Sequence, residues 1–446
     1  MIKITSGCNL YCLLSLHICY ALLGCTRSQP VNYYVNPAGN NSNNGLSTEY
    51  AVATIQEAAN RVQSGDSVFV TQGHYNERVI ISHSGTPDKK IIFLSVPKKS
   101  VNINGGFEIS GSHIIIEGFN ITSTLQKWPD RIAIFIEGNN IEIADNYLFE
   151  VQNEAIRGSW EKMPRDIIIR NNKIYHSQMG IVVEGTSWVI KNNEIERMFD
   201  YGNGDCDYTR FFGDNHTFMS NLFHGTNQFE VGDAHVDCFQ TFDNNGQYAH
   251  NIIIEKNRCK NFMQGFMGEA HYYQDISHIL IRNNIFEDGF TTNSHGMIVQ
   301  DIPYVQVLNN NFINIKWRGV AIQPADHRLS KHAIIKNNIF YNCGTSYSFF
   351  DKTSVGDHNL MFMTGNNPDI GEHDVLNYDP LFSNMVEGDY RLQPASPAIN
   401  AGEIIEEVND DILDTPRPID ASHDIGAFEY AGGKIKPPSD SDTPQP

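Results

Sequence analysis

Cysteine is scarce once the chain leaves its first 25 residues. Cys8, Cys12, Cys19 and Cys25 fall there, and only Cys206, Cys238, Cys259 and Cys343 follow in the remaining chain. Four thiols so spaced make no disulfide framework, and no CxxC pair follows Cys25 to hold zinc. Cys259 reads as a small core residue. Basic residues are also few, 32 against 52 acids, for a net charge of −20. That balance excludes nucleic acid, which needs a basic track. No run approaches the ~18 apolar residues of a membrane-spanning helix. Gly202-Asn203-Gly204 follows no strand-to-helix pattern, so a phosphate-binding glycine loop is missing as well. Sustained helical periodicity and spaced leucines are both absent, which removes helical and leucine-rich solenoids.

What the chain does have is a repeat. Ile167-Ile168-Ile169-Arg170-Asn171-Asn172-Lys173-Ile174 returns as Ile279-Leu280-Ile281-Arg282-Asn283-Asn284-Ile285-Phe286 and as Ala333-Ile334-Ile335-Lys336-Asn337-Asn338-Ile339-Phe340. Asparagines at 146, 172, 193, 221, 257, 284, 310, 338 and 359 step along the chain by 21 to 36 residues. A period of this size marks a solenoid. Apolar runs rich in Ile and Val suit strands stacked ~4.8 Å apart. Asn tolerates left-handed corners, and its amide can bond to the Asn one coil away. These features predict a parallel β-helix.

The pattern resembles the right-handed parallel β-helix superfamily that includes the pectate lyases, over roughly residues 32–430. The resemblance implies an all-β, right-handed parallel β-helix solenoid with an N-terminal capping helix, expected in Thr54–Val62, and a C-terminal cap. Asp379-Pro380-Leu381-Phe382, Ser396-Pro397-Ala398-Ile399-Asn400-Ala401-Gly402 and Asp424-Ile425-Gly426-Ala427-Phe428-Glu429-Tyr430 look like the closing runs of secreted members of that group. Residues 1–24 read as a leader. Leu22-Leu23-Gly24-Cys25 looks like a bacterial lipoprotein signal with Cys25 as the lipidated residue, although an ordinary cleaved signal peptide fits the same run. Expected organisation is therefore leader 1–24, β-helix 25–430 and a disordered tail 431–446. Expected location is the cell envelope through a lipid anchor, or secretion, and a monomer is expected.

Chemistry is sought where regularity fails. Between Asn193 and Asn257 two coils carry long insertions, and Asp200 to Asp243 holds eight acids, three histidines and one base, Arg210. Long loops on a solenoid are usually functional. Coil alignment through Gly180, Cys238, Gly265, Gly296 and Gly319 stacks Asp237, Gln264, His295 and Arg318 at one corner, where the small residue is read as permitting the bend. It turns Val182, Gln240, Met267, Ile298 and Ala321, then Glu184, Phe242, Glu269, Gln300 and Gln323, outward on one face. Asp233, His235 and Asp237 alternate, and Gln240 joins them only if the chain bends at Cys238. An exposed Asp237 is expected.

The mixture of acids, amides, imidazoles and exposed apolar groups fits a polysaccharide groove. Two classes stay open: a carbohydrate-active enzyme and a non-catalytic surface protein that binds glycan. Within the first, a lyase cleaving an acidic polysaccharide by β-elimination leads, with His235, Asp237, Glu269, His271 and His295 as candidate catalytic residues. Arg210, Gln240, Gln264 and Arg318 are candidate substrate ligands. Asp205, Asp207 and Asp233 could hold calcium through oxygen ligands. A glycoside hydrolase using Asp237 with Glu269, or Asp207 with Asp237, is the rival.

Overall fold

A computed structural model describes residues 29–124, 127–243, 246–270, 275–325, 330–365 and 367–432. The lipidation candidate Cys25, the candidate base His271 and the tail beyond 432 lie outside the described residues. Among the described residues, thirty-two strands pair in parallel as one sheet wound into a solenoid of about ten turns. The register is regular: Ile169 pairs Ile190, Ile254 pairs Ile281, Ile281 pairs Val307 and Val307 pairs Ile335. Alternate apolar residues point inward, so the triple-Ile runs place two of three in one continuous core. The expected early helix is the single turn Ile55–Ala59, N-capped by Thr54, with Ile55, Ala58 and Ala59 buried. Among the described residues, no helix is long and apolar enough to cross a membrane.

The Asn-Asn corner divides its labour. The first residue takes the left-handed backbone: φ is 56° at Asn171, 55° at Asn283, 54° at Asn309 and 58° at Asn337. The second is buried, and its amide nitrogen donates to the next ladder oxygen at 2.9–3.1 Å from Asn146 through Asn338. Asp374 ends the ladder by accepting from the Asn359 backbone N–H at 2.7 Å. First-position residues face a C-terminal strap instead: Asn283, Asn309 and Asn337 donate to the carbonyls of Asp410, Asp424 and Glu403.

Asn284 makes five such bonds, donating to Ile254, Arg282 and Asn310 and accepting from the backbone and amide of Asn257. Asn284→Leu strands several buried groups and is expected to destabilise by about 2–3 kcal/mol in denaturant titration. Asn43, whose amide makes one bond to the Ala51 carbonyl, should cost about 1 kcal/mol or less when changed to Leu. Equal losses would remove the ladder from the account of stability.

The small residue also serves space in several coils. A Cβ on Gly265, Gly296 or Gly319 would lie 2.5, 2.6 and 2.5 Å from the rings of Phe286, Phe312 and Phe340. Those rings stack nearly parallel at 5.3 and 5.0 Å. One coil earlier the same two places hold Cys238, aligned with Gly265, and Cys259, paired with Phe286. They form a disulfide. Cys259 is thus in the core, as its repeat position implied, but it is cross-linked: two sulfurs fill the volume that Gly and Phe share elsewhere. Cys206 and Cys343 are free and buried.

Candidate active-site face

Two adjacent coils set three pairs of residues side by side. Asp205 bridges His235 and Arg210 pairs Gln240, so Asp207 stands beside Asp237 between them. On each coil the third residue reaches back to the second. Arg210 Nη2 donates to Asp207 Oδ2 at 2.6 Å and also bonds Asp205; Gln240 Nε2 donates to Asp237 Oδ2 at 3.1 Å. The bend needed to bring Gln240 to Asp237 is therefore present. Further coils continue the rows: Asp237 pairs Gln264, Gln264 pairs His295 and His295 pairs Arg318, while Phe242, Glu269, Gln300 and Gln323 form a second row.

Burial corrects several expectations. Asp237 is 0% exposed, enclosed by Asp207, Arg210 and Gln240. Burial first, then the charges of Asp207 and Asp205, push its carboxyl well above the ordinary carboxylate range. Asp207, also fully buried, is raised to about 7 by burial, which outweighs the Arg210 ion pair. His235 and Asp233 remain exposed on the approaching loop, so the alternation does not place them with Asp237. His295 is only 4% exposed. Its imidazole lies 4.5 Å from the Trp317 ring, and burial and Arg318 lower its pKa to about 4. Val182, Ile298 and Ala321 are buried as well, so they offer no apolar surface. Gln240, Gln264, Met267, Glu269 and Arg318 stay half-buried and face outward.

The expected calcium ligands do not form one set. Arg210 already supplies a cation to Asp205 and Asp207. Among the described residues, the His/Cys/Asp/Glu groups compact enough for an ion do not include Asp205, Asp207 and Asp233. Asp205 Oδ1, Asp237 Oδ1, Gln240 Oε1 and Gln264 Oε1 nevertheless have no hydrogen-bond partner among the described residues. Two surface concavities of about 350 and 370 Å³ lie elsewhere: Lys90, Glu142 and Ile168 line one, and His250, His278 and Tyr304 the other. None of the candidate residues lines either.

No family model matches the sequence. A stretch of 142 residues is 28% identical to the uncharacterized protein YwoF of Bacillus subtilis (strain 168), covering 28% of this chain and 30% of that protein. The chain thus matches less than a third of that relative's length. Among solved structures, pectate lyase Pel9A aligns at TM-score 0.59 and 16% identity, over 90% of this chain and 97% of that one. XylC with xylose aligns at 0.55 and 13%, over 89% and 98%; a rhamnogalacturonan lyase aligns at 0.50 and 15%, over 74% and 87%. The fold is pectate-lyase-like. At such identities the likeness reaches the fold and stops short of the chemistry.

Several residues of this face escaped the sequence reading. Trp317, 42% exposed, lies under the Arg318 guanidinium at 4.9 Å; it directly precedes a residue already singled out. Three and four coils before Asp237, Arg157 and Arg131 approach the exposed Trp128 ring at 5.0 and 5.4 Å, and Glu154 and Glu184 neutralise them. No repeat signal marks Trp128, because it sits in an irregular loop.

Proposed function

We propose that this protein is a carbohydrate-active enzyme that cleaves an acidic polysaccharide by β-elimination on the face carrying Gln264, His295 and Arg318. One observation carries the reading. Arg131, Arg157 and Arg210 are all tied to carboxylates. Arg318 has no acidic partner among the described residues: it donates to Gln323 Oε1 at 3.0 Å and rests on Trp317. A guanidinium mounted on an aromatic ring and left without a counter-charge suits the bidentate pairing of a sugar carboxylate.

In this reading Arg318 neutralises the uronate carboxylate, which makes the neighbouring C–H acidic. His295, one strand away in register, stays neutral above about pH 4, so its imidazole can accept that proton. The electron pair becomes the new C=C bond as the glycosidic C–O bond breaks, and the departing oxygen takes its proton from water or from the imidazolium that His295 has become. Substrate has to displace the Trp317 ring to reach His295. Trp317 and the half-buried amides Gln264 and Gln240 supply stacking and hydrogen bonds. The lipid anchor at Cys25 would hold this face at the cell envelope.

Hydrolysis is served less well. Asp237 aligns with Gln264, five residues before Glu269 on the neighbouring strand. At ~3.3 Å per residue their backbones stand about 16 Å apart along the sheet, and Asp237 is fully buried while Glu269 faces outward, so the two do not flank one open space as glycosidase carboxylates do. Asp207 and Asp237 are close but fully buried. A panel of polysaccharides tests the reading: an ultraviolet-absorbing unsaturated product appearing together with reducing ends supports it. Reducing ends without that absorbance would make the protein a hydrolase, and neither signal would make it a glycan binder. Turnover that vanished on chelation and returned with calcium would shift carboxylate neutralisation from Arg318 to a cation among the unpartnered oxygens.

A further inference from the structure

The last turn departs from the Asn-Asn corner. His358-Asn359 stands where Asn283-Asn284, Asn309-Asn310 and Asn337-Asn338 stand before it, and Asn359 completes the ladder. His358 takes the left-handed corner, with φ at 54°. Three other groups close on it. Asp357 Oδ2 lies 2.8 Å from His373 Nδ1 and 3.4 Å from His358 Nδ1, and Glu403 Oε2 lies 3.7 Å from the same His358 nitrogen. Both rings stack almost parallel, 4.6 Å apart at 17°. His358 Nδ1 is enclosed and makes no hydrogen bond among the described residues.

We propose that Asp357, His358 and His373 form a site for a divalent transition ion of the zinc type, with Glu403 at its rim. The three ligand atoms lie within 4.8 Å of one another. Metal–ligand distances of ~2.0–2.1 Å in a tetrahedron set ligand atoms about 3.3 Å apart, close to the separations around Asp357 Oδ2. Two imidazole nitrogens and one carboxylate select zinc-like ions over calcium, which takes six to eight oxygens. An outer shell is already built: the His373 backbone N–H donates to Asp357 Oδ1 at 2.7 Å and fixes the carboxylate. Gly371 permits the close pass, since a Cβ there would lie 2.6 Å from Asp357 Oδ1.

The ion would join the final turn to the segment after it. Glu403 belongs to the strap that Asn337 grips through its carbonyl at 2.8 Å and that Lys336 holds by an ion pair at 2.5 Å. A second three-donor group, Glu194, Glu196 and His224, supplies a control, because the Lys173 ammonium already bonds both glutamates at 3.0 and 2.8 Å.

Calorimetric titration of zinc chloride into the full chain, prepared without a histidine tag, tests the site at neutral pH. One saturable zinc per chain is expected, together with a rise in Tm. His373→Ala should weaken binding at least about tenfold and abolish the Tm rise, while His224→Ala should change neither. Because the His373 side chain is 56% exposed, its loss should leave the fold intact, and a matching Tm without zinc checks this. Absence of saturable binding, unchanged affinity in His373→Ala, or loss in His224→Ala would each overturn the assignment.

Discussion

Arg318→Ala should lower kcat/KM on an acidic polysaccharide by about two to four orders of magnitude while leaving Tm nearly unchanged. The side chain is half-buried and, among the described residues, carries one hydrogen bond, to Gln323, so little of the fold depends on it. Its proposed work is done on a carboxylate brought by the substrate. Arg318→Lys keeps the charge and loses the planar fork and its stacking on Trp317, so an intermediate loss is expected. His295→Gln should remove turnover to a similar degree. Above about pH 4 the wild-type imidazole is neutral, so the acid limb of the kcat/KM profile should fall near 4 and not near the usual histidine value of ~6.5. Full activity in Arg318→Ala would refute the assignment. An Arg318→Ala protein that neither folds nor melts cooperatively would return the residue to a structural role.

The solenoid was legible because its physics repeats. A ladder of nine asparagines stands at the nine positions that the sequence marks, since each coil imposes the same corner on the same residue type. The outward rows were legible too: strand alternation fixes Gln264 beside His295 and Glu269 beside Gln300. Exposure was not. Whether Asp237 meets solvent depends on Arg210 and on a loop of irregular sequence, and no period reports how such a loop lies. The disulfide lay within reach, since Cys238 and Cys259 occupy the paired Gly and Phe positions of other coils. Missing it came from treating the small residue only as a bend, when it also leaves space for a ring across the core.

Arg210→Met is expected to cost about 3–5 kcal/mol at neutral pH, the range for removing one partner of a buried ion pair. The guanidinium is 15% exposed and is the bonded cation of Asp205 and Asp207, while Asp207 and Asp237 have no exposed surface at all. Methionine fills much of the volume but leaves the carboxylates uncompensated, so the folded protein must either bury charge or bind protons. The dependence on pH follows from the direction of the shifts. Burial already raises Asp207 to about 7 in the wild type, above the ~3.9 of an unfolded aspartate, so the folded state binds more protons between those values. Stability from this group is complete below about pH 4 and is lost as pH rises through 7. Removing Arg210 raises the folded value further, so the pH-dependent part of the gap between variant and wild type should stay flat below about pH 7, where Asp207 is protonated in both folded proteins, and widen as pH rises above 7. Urea titrations from pH 5 to pH 9 measure it. Arg210→Met with Asp207→Asn should recover part of the loss and flatten its pH dependence, because the uncompensated group then carries no charge to bury. A loss that stays constant with pH would show that Arg210 acts through packing and not through its charge.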